Sequence, residues 1–457
     1  MRLVSLKAAV IPATLLMLTL SACGGSDEGG SDEVSGKAPG AGKAECKQLE
    51  EFGDLTGKTV QVYTSIVDIE GETQQASYKK FTECTGAKVE YEGSREFEAQ
   101  LLVRIQGGNQ PDIAYIPQPG LLRTVVTDTG AVVEPPAAVS DNVDEFFGED
   151  WKNYGTIDDT FYAAPLGANV KSLVWYSPSV FADKGYEVPA TWDDMVALSD
   201  QMIKDGIKPW CAGIGSGDAT GWPTTDWLED VMLREVGPDV YDQWVNHEIP
   251  FDDPQVASAL ARVGSILKDP KYVNGGLGDV KSIATTEFTD GGLPVAEGKC
   301  GMHRQASFYA ANWPEGTKVA EDGDVFAFYL PTISDEFGAP VLGGGEFVAA
   351  FDDRPEVQAF QTYLSSDVWV NEKAKATPDG GWVSANKGLD VANLTSPIDQ
   401  LSATILQDPE AVFRFDGSDQ MPGAVGAGSF WKEMTAWITG QSDEETLSKI
   451  EKSWPAS

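Results

Sequence analysis

Two α/β lobes are the architecture this sequence predicts, and three observations carry that expectation. The chain has 457 residues, more than one ordinary domain holds. From Thr59 to Ile116, short runs rich in β-branched residues alternate with helical patterns at the spacing of right-handed βαβ units in a mainly parallel sheet. The same alternation restarts at Ser172, and two lobes fit that restart better than one large sheet.

Each element has a local reason. Thr59-Val60-Gln61-Val62-Tyr63 reads as a strand, and Gln74 to Cys84 as a helix stopped by Gly86. Ala87-Lys88-Val89-Glu90-Tyr91 is a second strand. Ser94 then caps a helix with Phe97, Leu101, Leu102 and Ile105 on one face, ended by Gly107 and Gly108. Pro111 to Ile116 is a third strand. In the second lobe Ser172 to Tyr176 is a strand, and Thr191 with Asp194 three residues on forms a capping box for a helix through about Lys204. Further helices are expected over Thr225 to Val236, Pro254 to Leu267, Pro355 to Leu364, Ser429 to Ile438 and Asp443 to Trp454. Pro355 fits a first helical turn, where its missing donor is not needed. Ligands gather at the carboxyl ends of such strands, where this chain has loops rich in Gly, Pro, Asn and Gln.

The N-terminus reads as an export signal. Arg2 and Lys7 precede an apolar run from Ala8 to Leu20, too short to span a bilayer, and Leu20-Ser21-Ala22-Cys23 resembles a bacterial lipobox with Cys23 as the lipidated residue. Gly24 to Ala44 has the composition of a flexible tether. Four cysteines remain, Cys46, Cys84, Cys211 and Cys300; outside the cytosol they imply two disulfides in one of three pairings. Cys46 with Cys84 and Cys211 with Cys300 keeps each bridge within one lobe. No metal is expected, because there is no C-x-x-C and His247 and His303 are far apart.

Acidic residues outnumber basic ones 71 to 33, a net charge of -38. That balance disfavours nucleic acid and anionic lipid surfaces and leaves a neutral or cationic small ligand as the easier partner, although it serves solubility equally well. The sequence contains no G-x-S-x-G, Walker A, H-E-x-x-H or strand-borne G-x-G-x-x-G motif. A paired-carboxylate glycosidase stays open with so many acids. Aromatic and polar residues occur together in three loops: Trp222 with Asp218, Thr220 and Asp226; His303 through Tyr309; and Asp416 through Met421, followed by Gly428-Ser429-Phe430-Trp431. A sugar offers apolar faces to stack on rings and hydroxyls that need paired donors and acceptors, which is that mixture. Trp222 is expected to be exposed for stacking, and Trp227 to anchor the helix behind it.

The ordered set G-K-T-V-Q-V-Y-T-S, F-T-E-C-T-G, G-G-N-Q-P-D-I-A-Y-I-P-Q-P-G, P-L-G-A-N-V-K-S-L-V-W-Y, T-W-D-D-M, P-W-C-A-G-I-G-S-G, G-W-P-T-T-D-W, E-G-K-C-G-M and R-F-D-G-S-D-Q-M-P-G-A-V-G-A-G-S-F-W resembles bacterial extracellular solute-binding proteins of the maltose-binding-protein family, in its alpha-glucoside branch. The resemblance implies a two-lobed periplasmic-binding-protein fold (type II) with a hinge crossed near Pro165 to Val170, Pro331 to Leu342 and Asn393 to Pro397. It implies a signal peptide over 1–22, a tether over 23–44, one lobe from 45–167 and 342–394, and the other from 168–341 and 395–457. A sugar would bind between the lobes, with no catalysis and no cofactor, and be handed to ABC transporter permease subunits by a monomer held to the extracellular face of the cytoplasmic membrane through its lipid alone. Ligand residues implied are Asp68, Glu70, Gln118, Asn169, Asp218, Trp222, Arg304, Gln305, Phe308, Glu346, Asp416, Asp419, Met421 and Trp431, with Arg304 equally suited to a buried ion pair. Ala219 and Phe308 replace aromatic residues of maltose-binding protein, which leaves the sugar's identity open. A same-fold receptor for a polyamine and an exported carbohydrate-active enzyme remain the competing readings.

Overall fold

The computed structural model describes residues 36–407 and 412–455. The signal segment, Cys23 and the tether before residue 36 lie outside the described residues. Ten strands form two main sheets: β1 Thr59–Thr64, β2 Lys88–Gly93, β3 Ile113–Ile116, β4 Ala163–Val170, β5 Leu173–Tyr176, β6 Lys208–Trp210, β7 Cys300–Arg304, β8 Phe326–Tyr329, β9 Val341–Ala350 and β10 Phe413–Phe415. In the first sheet the order is β10-β9-β3-β1-β2, with β4 also paired to β9. β1 runs parallel to β2 and β3, as βαβ crossovers require, while β9 is antiparallel to β3 and β4.

All four residues of β3 are buried, so both faces of this sheet are covered. Ile113 and Tyr115 pack with Val60, Phe81 and Phe360 on one side, and Ala114 and Ile116 pack with Tyr63, Phe97 and Phe347 on the other, the period-two split of a strand. The second sheet, β8-β5-β7-β6, departs from the expected parallel arrangement: β5 is antiparallel to both neighbours and only β6 and β7 run parallel. β5 follows β4 across the hinge after only Lys171 and Ser172, with no helical crossover to set a parallel partner.

Helices that position the cleft are α1 Asp68–Ala76, α2 Phe97–Gln106, α3 Trp192–Lys204, α4 Trp222–Glu235, α5 Asp367–Ala376 and α6 Trp431–Thr439. The capping box at Thr191 and Asp194 forms as expected. The single helix expected over Gln74 to Cys84 is instead α1 and a second helix, Lys79–Thr85, broken at Ser77 and Tyr78. Tyr363 donates its hydroxyl to the Ser77 carbonyl at 2.8 Å and Trp369 Nε1 donates to Ser77 Oγ at 3.0 Å, so tertiary partners draw that turn away from the helical ladder. α4 starts three residues before the expected Thr225, because Gly221 takes a φ of 118° and turns the chain into the helix at Trp222.

Both disulfides form, Cys46 to Cys84 with Cα atoms 5.3 Å apart and Cys211 to Cys300 with 5.9 Å. The end of the expected tether is packed rather than free: Ala38 is buried, and Gly40 N donates to the Cys84 carbonyl at 3.0 Å. β10 joins the first sheet beside Val341 to Gly343, although the sequence reading gives all of 395–457 to the second lobe. Short and bracketed by polar loops, it carries no periodic signal.

The crossing between the sheets is made of backbone. β4 and β9 pair from Ala163–Ala349 to Val170–Gly343, and Gly343, Gly344 and Gly345 sit within it. A Cβ on Gly345 would lie 2.3 Å from the Gly167 carbonyl, and one on Gly343 would lie 2.3 Å from the Phe413 ring. Only glycine lets the strands approach this closely. No helix among the described residues is long and apolar enough to cross a membrane.

Candidate functional site

The two sheets face each other across a cleft of two connected chambers, with volumes of about 200 and about 400 Å3. They share Ile66, Ile69, Glu70, Asn169, Phe308 and Glu346 and so form one continuous space.

The smaller chamber is aromatic on the second-lobe side. Trp222, half-buried at the first position of α4, meets Phe288 at 5.3 Å and Phe308 at 6.0 Å between ring centroids, and Phe288 meets Phe308 at 6.3 Å. Trp222 is therefore less exposed than expected, since two rings that the local sequence does not supply cover part of it, while Trp227 is core against Trp210 as expected. Trp431 lines the same chamber but is 3% exposed, its Nε1 donating to Ser418 Oγ at 3.3 Å. Gly221 lets the two tryptophan loops meet, because a Cβ there would strike the Trp431 carbonyl at 2.2 Å.

Opposite these rings stand polar groups of the first lobe. Gln118 donates through Nε2 to Glu98 at 3.1 Å, and its Oε1 has no partner among the described residues although the side chain is 95% buried by its 5% exposure. Asn169 Oδ1, in the β4 crossing, is likewise unpartnered. Such orphaned acceptors are costly unless a ligand or water meets them. Asp68 lies at the rim, ion-paired to Arg95 at 2.7 Å.

Beneath the ring triad lies a buried ionic network. Asp226, Asp230 and Arg234 recur every four residues on one face of α4, where Arg234 pairs with Asp230 at 2.5 Å. Lys171 Nζ reaches Asp226 at 3.1 Å and Asp419 at 3.8 Å, bonds Asp416, and sits 5.4 Å from the Trp222 ring centroid. Burial raises the Asp416 carboxyl, but Lys171 and hydrogen bonds outweigh it and hold it at about 2. Burial, with Asp416 adding to it, pushes Asp419 and Glu229 well above the usual carboxylate range. Oxygens of Asp226, Glu229 and Asp416 lie within 4.8 Å of one another, a spacing that could hold a cation, and Lys171 supplies positive charge there.

The larger chamber is acidic. Glu70 of α1 and Glu346 of β9 both line it, with Gln74, Phe308, Trp313, Lys373, Trp382 and Ser396. Burial and then the neighbouring Glu346 push Glu70 up to about 7. Lys373 Nζ donates to Thr73 Oγ1 at 2.8 Å and Thr377 Oγ1 at 3.0 Å, and burial lowers it to about 8.

Asp68, Glu70, Gln118, Asn169, Trp222, Phe308, Glu346, Asp419 and Trp431 thus line the cleft, and five other expected residues do not. Arg304 is buried in an ion pair with Asp230 and reaches Asp226 at 3.5 Å, because the end of β7 points it at the acidic face of α4. Gln305 is fully buried, its Oε1 accepting from Ala306 N at 2.8 Å. Asp416 is buried beneath the chamber on Lys171. Met421 packs in the second-lobe core with Val425 and Phe430 rather than at the rim. Asp218 is exposed on a turn outside both chambers. Residues missed in the sequence are Glu98, Lys171, Phe288, Trp313, Lys373 and Trp382. Lys171 stood in the motif of the first hinge crossing and could have been singled out as a lone cation there; Phe288 and Trp382 lie in loops without periodicity.

Two α/β sheets closing on a ring-lined and hydroxyl-matching cleft define a bilobal receptor for a small polar solute. Residues 65–376 match the family described as bacterial extracellular solute-binding protein, and the chain belongs to that family. Among curated relatives, the "Osmoprotective compounds-binding protein GgtB" of Synechocystis is 39% identical over 412 residues, covering 90% of this chain and 96% of that protein. The "Alpha-glucosides-binding periplasmic protein AglE" of Rhizobium meliloti is 37% identical over 427 residues, covering 89% and 90%. Among solved structures, the bacterial solute receptor AcbH superimposes with a TM-score of 0.72 at 21% identity over 87% of this chain and 97% of that one, a likeness of fold.

Proposed function

We propose that the protein is the sugar receptor of an ABC importer, binding an alpha-glucoside or small oligosaccharide between its lobes and delivering it to the permease subunits. The observation that carries this reading is the ring triad of Trp222, Phe288 and Phe308 set across from the unpartnered acceptors of Gln118 and Asn169. Rings take the apolar face of a pyranose, and the acceptors and carboxylates take its hydroxyls. The name of the relative AglE is consistent with the alpha-glucoside class. In this reading Cys23 is lipidated and holds a monomer on the outer face of the membrane, residues 45–167 and 342–394 with the strand 413–415 form one lobe, and 168–341 with the rest of 395–457 form the other. Ligand selects the closed form because only there do both walls touch it.

Calorimetric titration of the chain from Gly24 onward with trehalose, maltose, maltotriose and sucrose tests the proposal, with spermidine as a cationic control. Saturable binding of one sugar without turnover is expected. Silence for all four together with a spermidine response would replace it by a polyamine receptor, which the net charge of -38 favours. Product formation abolished by replacing one cleft carboxylate would replace it by an enzyme. Trp222→Ala is expected to weaken the best sugar by about 2 kcal/mol, roughly 30-fold in Kd, while the thermal transition stays cooperative. An unchanged affinity would move the sugar away from the ring triad.

A further inference from the structure

We propose that the larger chamber is a subsite for an ammonium group, so that the preferred ligand is a glycoside carrying a protonated amine, its sugar ring on Trp222 and its nitrogen between Glu70 and Glu346. The proposal rests on the sugar-receptor reading and names a substrate class within it.

Charge is the first observation. Glu70 and Glu346 reach the chamber from α1 and β9, and neither has a cation within 4.0 Å among the described residues, Lys373 acting on both from farther off. Glu315 and Asp379 at its wall add the same sign, and Lys373 is the one basic side chain in the lining. Lys373 Nζ donates to two threonine hydroxyls and offsets both glutamates from beyond ion-pair distance, so a single lysine stands against Glu70, Glu346, Glu315 and Asp379 in this chamber. A neutral sugar adds nothing to that balance, whereas a ligand ammonium brings a second cation to both carboxylates.

Buried, unsatisfied polar atoms are an independent observation. Gln74, 2% exposed, Ser396, 5% exposed, and Trp313 line this chamber, and their buried Nε2, Oγ and Nε1 atoms have no hydrogen-bond partner among the described residues. Two of these are donors only, and a donor is met by a hydroxyl or ether oxygen and not by an ammonium. The chamber therefore asks for oxygens as well as positive charge, which a polyamine lacks and an amine-bearing sugar or cyclitol has. Aromatic walls suit the cation too: Lys373 Nζ already lies 5.4 Å from the centroid of Trp382. An anionic sugar meets repulsion from the same carboxylates.

Calorimetry at neutral pH would compare trehalose, maltose and sucrose with their monoamino derivatives at each ring position, the N-acetyl forms of those amines, and trehalose 6-phosphate. At least one amine is expected to bind 10-fold or more tighter than its parent sugar, to lose that advantage on N-acetylation, and the phosphate is expected not to bind. The ratio of amine to parent affinity is expected to fall toward one in Glu70→Gln and Glu346→Gln; the N-acetyl comparison on the unaltered protein decides the matter should either variant fail to fold. Parent sugars that bind with no amine tighter than its parent overturn this proposal and leave the sugar receptor standing. Silence for parents and amines alike overturns both, and so does spermidine binding unaccompanied by any sugar.

Discussion

Lys171→Met is expected to destabilise the protein by about 3–5 kcal/mol, the effect of stripping one partner from a buried ion pair. The amine is 8% exposed and touches Asp226, Asp416 and Asp419, whose side chains are themselves 0%, 1% and 11% exposed. Methionine matches the stem in volume but leaves these carboxyls without that charge in a medium where water cannot replace it. Arg304 does not take over, because it reaches only Asp226, at 3.5 Å, and is bonded to Asp230. Urea unfolding of the mature chain, wild type against variant, reads the change as a shifted midpoint. A shift worth less than about 1 kcal/mol would mean that the network does not depend on this cation.

The sign with pH follows from Asp416. Its folded value of about 2 lies below the ordinary 3.8, so its share of the stability is complete above 3.8 and is lost as pH falls through 2. The gap between wild type and variant should therefore narrow in acid. Since Lys171 also lies near the Trp222 ring and beside Asp419, the variant should weaken ligand binding along with stability.

Removing the second disulfide by Cys211→Ala with Cys300→Ala is the other large effect. The bridge spans 89 residues of sequence, for which the loop-closure relation gives roughly 4.6 kcal/mol, against roughly 3.9 for the 38 residues between Cys46 and Cys84. It ties the residue after β6 to the first residue of β7, the only parallel pairing of the second sheet among the described residues. Scanning calorimetry should show the second-lobe transition at lower temperature with the first-lobe transition held by its own disulfide. Coincident traces for variant and wild type would show that the native pairings alone fix those strands.

What the sequence made legible was local. The strands at Thr59 and Pro111, the amphipathic face of Phe97, Leu101 and Ile105, and the Thr191 capping box all express short-range rules, and all are present. The break at Ser77 was not legible, because Tyr363 and Trp369, nearly three hundred residues on, make it. The site divides in the same way. Trp222 stood out because its neighbours could not bury it, yet Phe288, whose ring meets it at 5.3 Å, comes from a loop with no pattern of its own. Arg304 looked equally like a ligand grip and an ion-pair partner; the decision lay in the i, i+4 spacing of Asp226, Asp230 and Arg234, whose carboxylates only the tertiary fold brings to it. Polar residues near a cleft face it or hold it up, and burial separates the two.

The bare backbone of the crossing bears on timing. Gly343, Gly344 and Gly345 carry no side chains of their own, and the Asn169 and Gly167 carbonyls and the Phe413 and Trp151 rings come up against them. These three residues bury no side chain of their own, so at about 25 cal/mol per Å2 they add little hydrophobic resistance to a bend at that point. With so little of its own to unpack, the joint is expected to leave the dwell time of a passenger to the rings and carboxylates that hold it.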